Sequence, residues 1–188
     1  GDIYAIAAGF FWYFSVILMR ISGFTIQNGN GTAGGGISCV NSSPLFEKCV
    51  ITNNNATNGG GLRALLADPL FIDCVFIDNV ATSNGGAAHN SQDSSPYFEG
   101  CRFLSNSASA LGGAIYNRES DPTIANCEIS GNGGNSNGGG IANETQSSPV
   151  IVNTTISGNL TAGAGGAIYN DGQSDPIIVN SIAWGNTP

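Results

Sequence analysis

Basic side chains are scarce in this 188-residue sequence, with five Lys plus Arg against thirteen Asp plus Glu and a net charge of -8. No basic cluster exists, so neither a nucleic acid nor an anionic membrane surface is an expected partner. The acidic balance chiefly favours solubility. Histidine occurs once, which leaves a zinc site or a histidine-activated nucleophile short of its usual ligands, and no cofactor is expected. No three-residue period accompanies the 28 glycines, which excludes collagen, and an apolar fraction of 41% is too high for a disordered chain.

What the sequence has in abundance is repetition. A glycine-glycine-apolar motif recurs as GGGI ending at Ile37, GGGL at Leu62, GGAA at Ala88, GGAI at Ile115, GGGI at Ile141 and GGAI at Ile168, at steps of 25, 26, 27, 26 and 27 residues. Pro44, Pro69, Pro96, Pro122, Pro149 and Pro176 keep the same beat, and so do closing asparagines at Asn54, Asn79, Asn106, Asn132, Asn159 and Asn186. Markers recurring in phase describe stacked copies of one supersecondary unit, and hence a single elongated body over residues 21–188.

Within a unit the apolar period is two. Phe46, Phe71, Phe98, Ile124, Ile151 and Ile178 form one column, Ile51, Phe76, Phe103, Ile129, Ile156 and Ala183 another, and the residues closing the glycine motifs a third. Glycine, proline and β-branched residues in every unit oppose a helical hairpin. About 26 residues at ~3.3 Å each accommodate three short strands and three turns per coil, stacked ~4.8 Å apart. The expected fold is therefore all-β: a right-handed parallel β-helix of about six to seven coils with an atypical N-terminal cap. Asn90, Asn117, Asn143 and Asn170 are expected to form an asparagine ladder through its interior.

The GG[A/G]I motifs, together with FIDN (residues 76–79), FLSN (103–106) and the relaxed forms ITNN, ISGN and AWGN, resemble the GGA(I) and FxxN repeats of the chlamydial polymorphic outer membrane proteins, and more widely of secreted bacterial right-handed β-helix proteins. The resemblance covers residues 21–186. It implies surface display and adhesion, while similar helices elsewhere carry polysaccharide-cleaving sites.

Residues 3–19 carry no charge and differ from everything after them. Two readings are open: a first coil or cap over the end of the core, and a membrane anchor at the lower limit of spanning length. As a strand, the run Phe10, Phe11, Trp12, Tyr13 and Phe14 would alternate faces and leave some rings as interaction candidates. From residue 27 onward, connections such as 27–33, 54–58, 80–84, 107–111, 133–137 and 160–164 read as short polar loops of near-constant length. None is the large loop from which β-helix enzymes build clefts.

Cys49, Cys74, Cys101 and Cys127 share a column continued by Thr154 and Ser181, which suits a buried ladder of free thiols; disulfides between coils and a metal site are the alternatives. Beside the glycine motif runs an outward column of Ser38, Arg63, His89, Tyr116, Ala142 and Tyr169. Tyr116 and Tyr169, two coils apart, are candidates for stacking on sugar rings, against the plainer reading as exposed aromatics. His89 reads as a surface side chain. Before the prolines, Ser43, Asp68, Ser95, Asp121, Ser148 and Asp175 alternate, as residues bonding the turn backbone. Glu47, Asp73 and Glu99, with Lys48 and Arg102, are the nearest approach to a convergent acidic site for a lyase or hydrolase.

Asn30, Asn41, Asn55, Asn143 and Asn159 head N-x-S/T triplets expected at loops or corners, with Asn153 a further match at an inward bend. The functional expectation is an extracellular or cell-surface structural β-helix: adhesin passenger, rigid spacer or filament subunit, the alternative being a polysaccharide-binding or polysaccharide-cleaving helix. Its partner is a second copy joined head to tail, with Trp184 on the final strand as a contact candidate, or a surface glycan or protein. Membrane anchoring through the N-terminal segment is the remaining option.

Overall fold

The computed structural model describes residues 3–5 and 19–188, and within them the chain is a parallel β-solenoid. Four sheets run the length of the stack, three of seven strands and one of six, and every pairing joins a strand to its equivalent one coil away. The first face carries Ile37–Val40, Leu62–Leu65, Ala88–Ser91, Ile115–Arg118, Ile141–Glu144 and Ile168–Asn170, with Ile3–Ala5 at its leading edge in register with residues 37–39. The second face begins at Arg20–Ser22 and ends at Ile177–Val179; the third runs from Thr25–Gln27 to Ile182–Trp184. No helix long and apolar enough to cross a membrane occurs among the described residues. Phe10, Phe11, Trp12, Tyr13 and Phe14 lie outside the described residues.

The expected three strands per coil become four. Each polar connection contains a strand of the fourth face: Asn30–Ala33, Asn55–Asn58, Val80–Ala81, Ser107–Ala108, Gly133–Gly134 and Leu160–Thr161. With one inward residue apiece (Ala56, Ala81 and Ala108, for example), these strands carry no apolar alternation to betray them. What orders them is the coil before, through bonds such as Val80 N–H to Asn54 C=O at 2.9 Å and Thr82 N–H to Ala56 C=O at 2.9 Å.

A left-handed residue turns each corner. One column, Lys48, Asp73, Gly100, Asn126, Asn153 and Asn180, has φ between 48 and 62°, and another, Asn53, Asp78, Ser105, Gly131, Gly158 and Gly185, between 53 and 65°. Short polar side chains and glycine accept this conformation, which explains every residue of the two columns but Lys48. Asn126 and Asn153 are consequently exposed at the turn rather than inward.

The residue after each turn points in and satisfies the backbone. Asn106 is typical: its Nδ2 donates to Phe76 C=O at 3.0 Å and to Asn132 Oδ1 at 3.0 Å, while its Oδ1 accepts from Asn79 N–H and Nδ2, each at 3.0 Å. The closing asparagines, read from sequence only as period markers, thus form a six-rung ladder from Asn54 to Asn186. The expected ladder through Asn90, Asn117, Asn143 and Asn170 is present too, each step 2.8 Å. Between the ladders lies the core, with Phe46, Phe71 and Phe98 stacked at centroid spacings of 4.8 and 5.3 Å, and Phe76 on Phe103 at 4.9 Å. Rings meeting across the two stacks do so edge to face, the arrangement aromatic quadrupoles favour.

Candidate functional site

The cysteine column is structural. All five cysteines are free and buried, and each thiol of the column donates to carbonyl oxygens in its own coil and the preceding one, as Cys101 does to Glu99 and Phe71 at 3.5 and 3.4 Å. Thr154 makes the same pair of bonds, to Val152 and Ile124 at 3.0 and 3.3 Å. Here thiol and hydroxyl do one job, capping carbonyls at the corner. Burial pushes Cys39 up to about 12, which removes nucleophilic thiolate at neutral pH.

Two of the three carboxylates expected to converge are taken up in separate contacts. Glu47 pairs with Arg20, Arg102 with Glu128 at 2.9 Å, and Glu99 accepts from Tyr97 Oη at 2.8 Å and Asn126 Nδ2 at 2.6 Å. The alternating column does bond backbone, as expected, but on the following coil: Asp68 Oδ1 accepts from Ser95 N–H and Asp121 Oδ1 from Ser148 N–H, both at 2.6 Å.

The sequons divide by environment. Asn30, Asn41 and Asn55 are exposed. Asn143 and Asn159 are fully buried ladder rungs, so the expectation that all five triplets lie at open loops or corners fails for these two, and the folded coil has no room for a glycan there.

The outer side of the first face collects the chemically richest side chains. Strand alternation sends Arg63, His89, Tyr116, Ala142 and Tyr169 outward in one column. Two residues further along each strand a second column places Ser91 beside Arg118 and Arg118 beside Glu144. The His89 ring lies 4.9 Å from that of Tyr116, and Tyr116 Oη donates to Glu144 Oε2 at 2.7 Å. Burial, then this bond to a carboxylate, push the Tyr116 phenol well above its ordinary value. Burial also pushes His89 down to about 4, with Arg63 and Arg118 adding repulsion, so the imidazole is neutral at pH 7.

Tyr116 and Tyr169 do not make the expected pair of open rings. Tyr116 is only 3% exposed, Ala142 between them is wholly buried, and Tyr169 is half-buried. With Tyr116 and Ala142 both shielded from solvent, no pair of open rings is left for a sugar to stack on. Arg118 and Glu144 were not singled out from sequence, although the same period of two that placed Tyr116 outward also places them there.

Elsewhere the exposed apolar residues concentrate on the last described coil, where Ile177, Ile178, Val179, Ile182 and Trp184 are 57, 50, 42, 61 and 65% exposed. Against known families, a model described as right handed beta helix region matches residues 36–187. No curated protein matches the sequence.

Proposed function

The chain belongs to the right-handed β-helix family, and from that premise we propose that it is an extracellular or cell-surface structural rod that acts as a spacer or adhesin passenger. The observation carrying this reading is the bonding at the corners. Amide, thiol and hydroxyl ladders tie each coil to the next at several corners at once, so successive coils cannot shear without leaving buried polar groups unpaired. A body built this way holds its length under load. The resemblance to polymorphic outer membrane protein repeats supports display at a bacterial surface. Protease shaving of intact producing cells tests location: release of fragments from this chain is expected, and protection until lysis would sink the reading.

The exposed apolar residues from Ile177 to Trp184 support association of that coil with a further β-coil, which in a second copy would extend the rod as a filament. Concentration-dependent sedimentation of the chain, repeated with Trp184→Ser and Ile178→Ser, tests this; sedimentation as a monomer at all concentrations is the adverse result.

The polysaccharide reading has one observation in its favour, the grouping of Arg63, His89, Tyr116, Arg118 and Glu144 on a single face. Turnover of acidic and neutral polysaccharides by the chain, lost in Tyr116→Phe, would establish it as an enzyme.

A further inference from the structure

The five cations of this chain do not share one environment. Arg20 and Arg102 sit in ion pairs with glutamates of neighbouring strands, and Lys48 projects from an exposed corner. Arg63 and Arg118 lie on the outer side of the first face, and neither has an ion-pair partner among the described residues. In a chain with thirteen acids, two unpaired guanidiniums on one face call for a reason. Arg118 even stands opposite Glu144 in the ladder, but Glu144 takes the Tyr116 hydroxyl instead. Glu119 follows Arg118 at the corner and is exposed.

His89 lies on the coil between the two arginines. Its Nδ1 is buried without a hydrogen-bond partner, an environment that costs least when that nitrogen carries no proton. The proton then belongs on Nε2, which leaves a third donor beside the guanidiniums. Arg63, His89 and Arg118 therefore offer donors on three successive coils, the one acceptor among them, His89 Nδ1, being turned into the interior. Coils repeat at ~4.8 Å, so both guanidiniums, on long flexible stems, reach the space over His89.

We propose that the outer side of the first face binds a carboxylate-bearing ligand, its oxyanion held by Arg63 and the outward ring nitrogen of His89, with Arg118 closing the far side. Tyr116 packs against the imidazole from the next coil, its ring tilted by 45°. Arginine suits the role because its planar fork matches two carboxylate oxygens at once. A chain that binds no anion is still a structural rod, so this site fails or stands independently of the spacer role.

Because His89 is the sole histidine, its imidazole proton resonances report on this place alone. The whole chain is titrated at constant ionic strength with glucuronate, and with glucose as the counterpart lacking the carboxylate. The expected result is a saturable shift with glucuronate and none with glucose. Arg63→Gln should weaken binding by about tenfold or more, Arg63→Lys by less, and Lys48→Gln not at all, with each variant's melting curve confirming that it is folded. No saturable shift, an equal shift with glucose, or undiminished binding by a folded Arg63→Gln, Arg118→Gln double variant would overturn the proposal.

Discussion

Asn90 gives its amide nitrogen to Asn117 at 2.8 Å, but its own oxygen is buried without a partner, because the residue across the ladder on the preceding coil is Ala64. The ladder stops one rung short of satisfying its first member. Every later rung has an asparagine behind it that donates in the same direction. Ala64→Asn should supply the missing donor and raise stability by about 1 kcal/mol. Urea denaturation measures it, and a loss would mean that the position next to Cys39 is too tight for the amide.

Removing a central rung has the opposite sign and a larger size. Asn106→Ala strips partners from Asn79 and Asn132 and frees the Phe76 carbonyl. Two or more buried groups left unpaired cost about 1–3 kcal/mol each. The loss should exceed about 3 kcal/mol, whereas Asn55→Ala at an exposed strand position should stay within about 0.5 kcal/mol.

Acid should weaken the fold through His89. Its pKa lies at about 4, lowered from 6.5, so the unfolded chain binds the proton first as pH falls. Stability from the neutral ring is complete above pH 6.5 and is lost progressively toward pH 4. His89→Gln should flatten the fall in melting temperature across that window relative to the parent. Equal slopes in the two proteins would show that other groups carry the acid sensitivity.

Thiol reagents should find almost nothing in the native chain and five groups after denaturation, since every cysteine is free and buried. Cys101→Ser should stay within about 1 kcal/mol of the parent, because Thr154 already caps the equivalent carbonyls with a hydroxyl. A mass showing linked Cys74 and Cys101 in the native protein would contradict the assignment.

Two glycines separate backbone strain from crowding. Gly158 has φ +61° with nothing within 4 Å of an added Cβ, so Gly158→Ala should cost only the left-handed conformation, about 1–2 kcal/mol. At Gly86 a Cβ would stand 2.2 Å from the Gly113 carbonyl oxygen and 2.6 Å from the Ser107 backbone. There backbone must move against backbone across coils, and Gly86→Ala should reach or exceed about 3 kcal/mol.

Three of the four faces were legible in the sequence because an inward Phe, Ile or Leu recurs in nearly every coil of each, Ala88 and Ala183 being the exceptions. The fourth was not: its strands offer Ala81, Ala108 or Gly134 to the interior, and nothing in such residues distinguishes a strand from a loop. Their order comes from the neighbouring coil, a contact invisible along the chain. The Asn54 to Asn186 column was visible as a beat but not as a ladder, since a regular position does not reveal which way an amide points. Tyr116 was correctly placed on the outside, yet burial there is set by what flanks it: His89 on one side, Ala142 on the other and Glu144 within reach of its hydroxyl. The site around Arg63 and Arg118 needed the lateral register between coils before its members could be seen as neighbours.

The two amide ladders run in one sense. From Asn54 to Asn186 and from Asn90 to Asn170, each nitrogen points to the oxygen of the following coil. Backbone dipoles in strands nearly cancel, whereas these side-chain dipoles, each comparable to the ~3.5 D of a peptide unit, add head to tail. The rod is thereby an electret with its positive pole toward Asn170 and Asn186, on the same coil as Asp171 and Asp175. Between two such rods, each of net charge -8, the ladder dipoles add to the mutual repulsion when the rods point the same way and offset part of it when they alternate, a difference that weakens as salt is added.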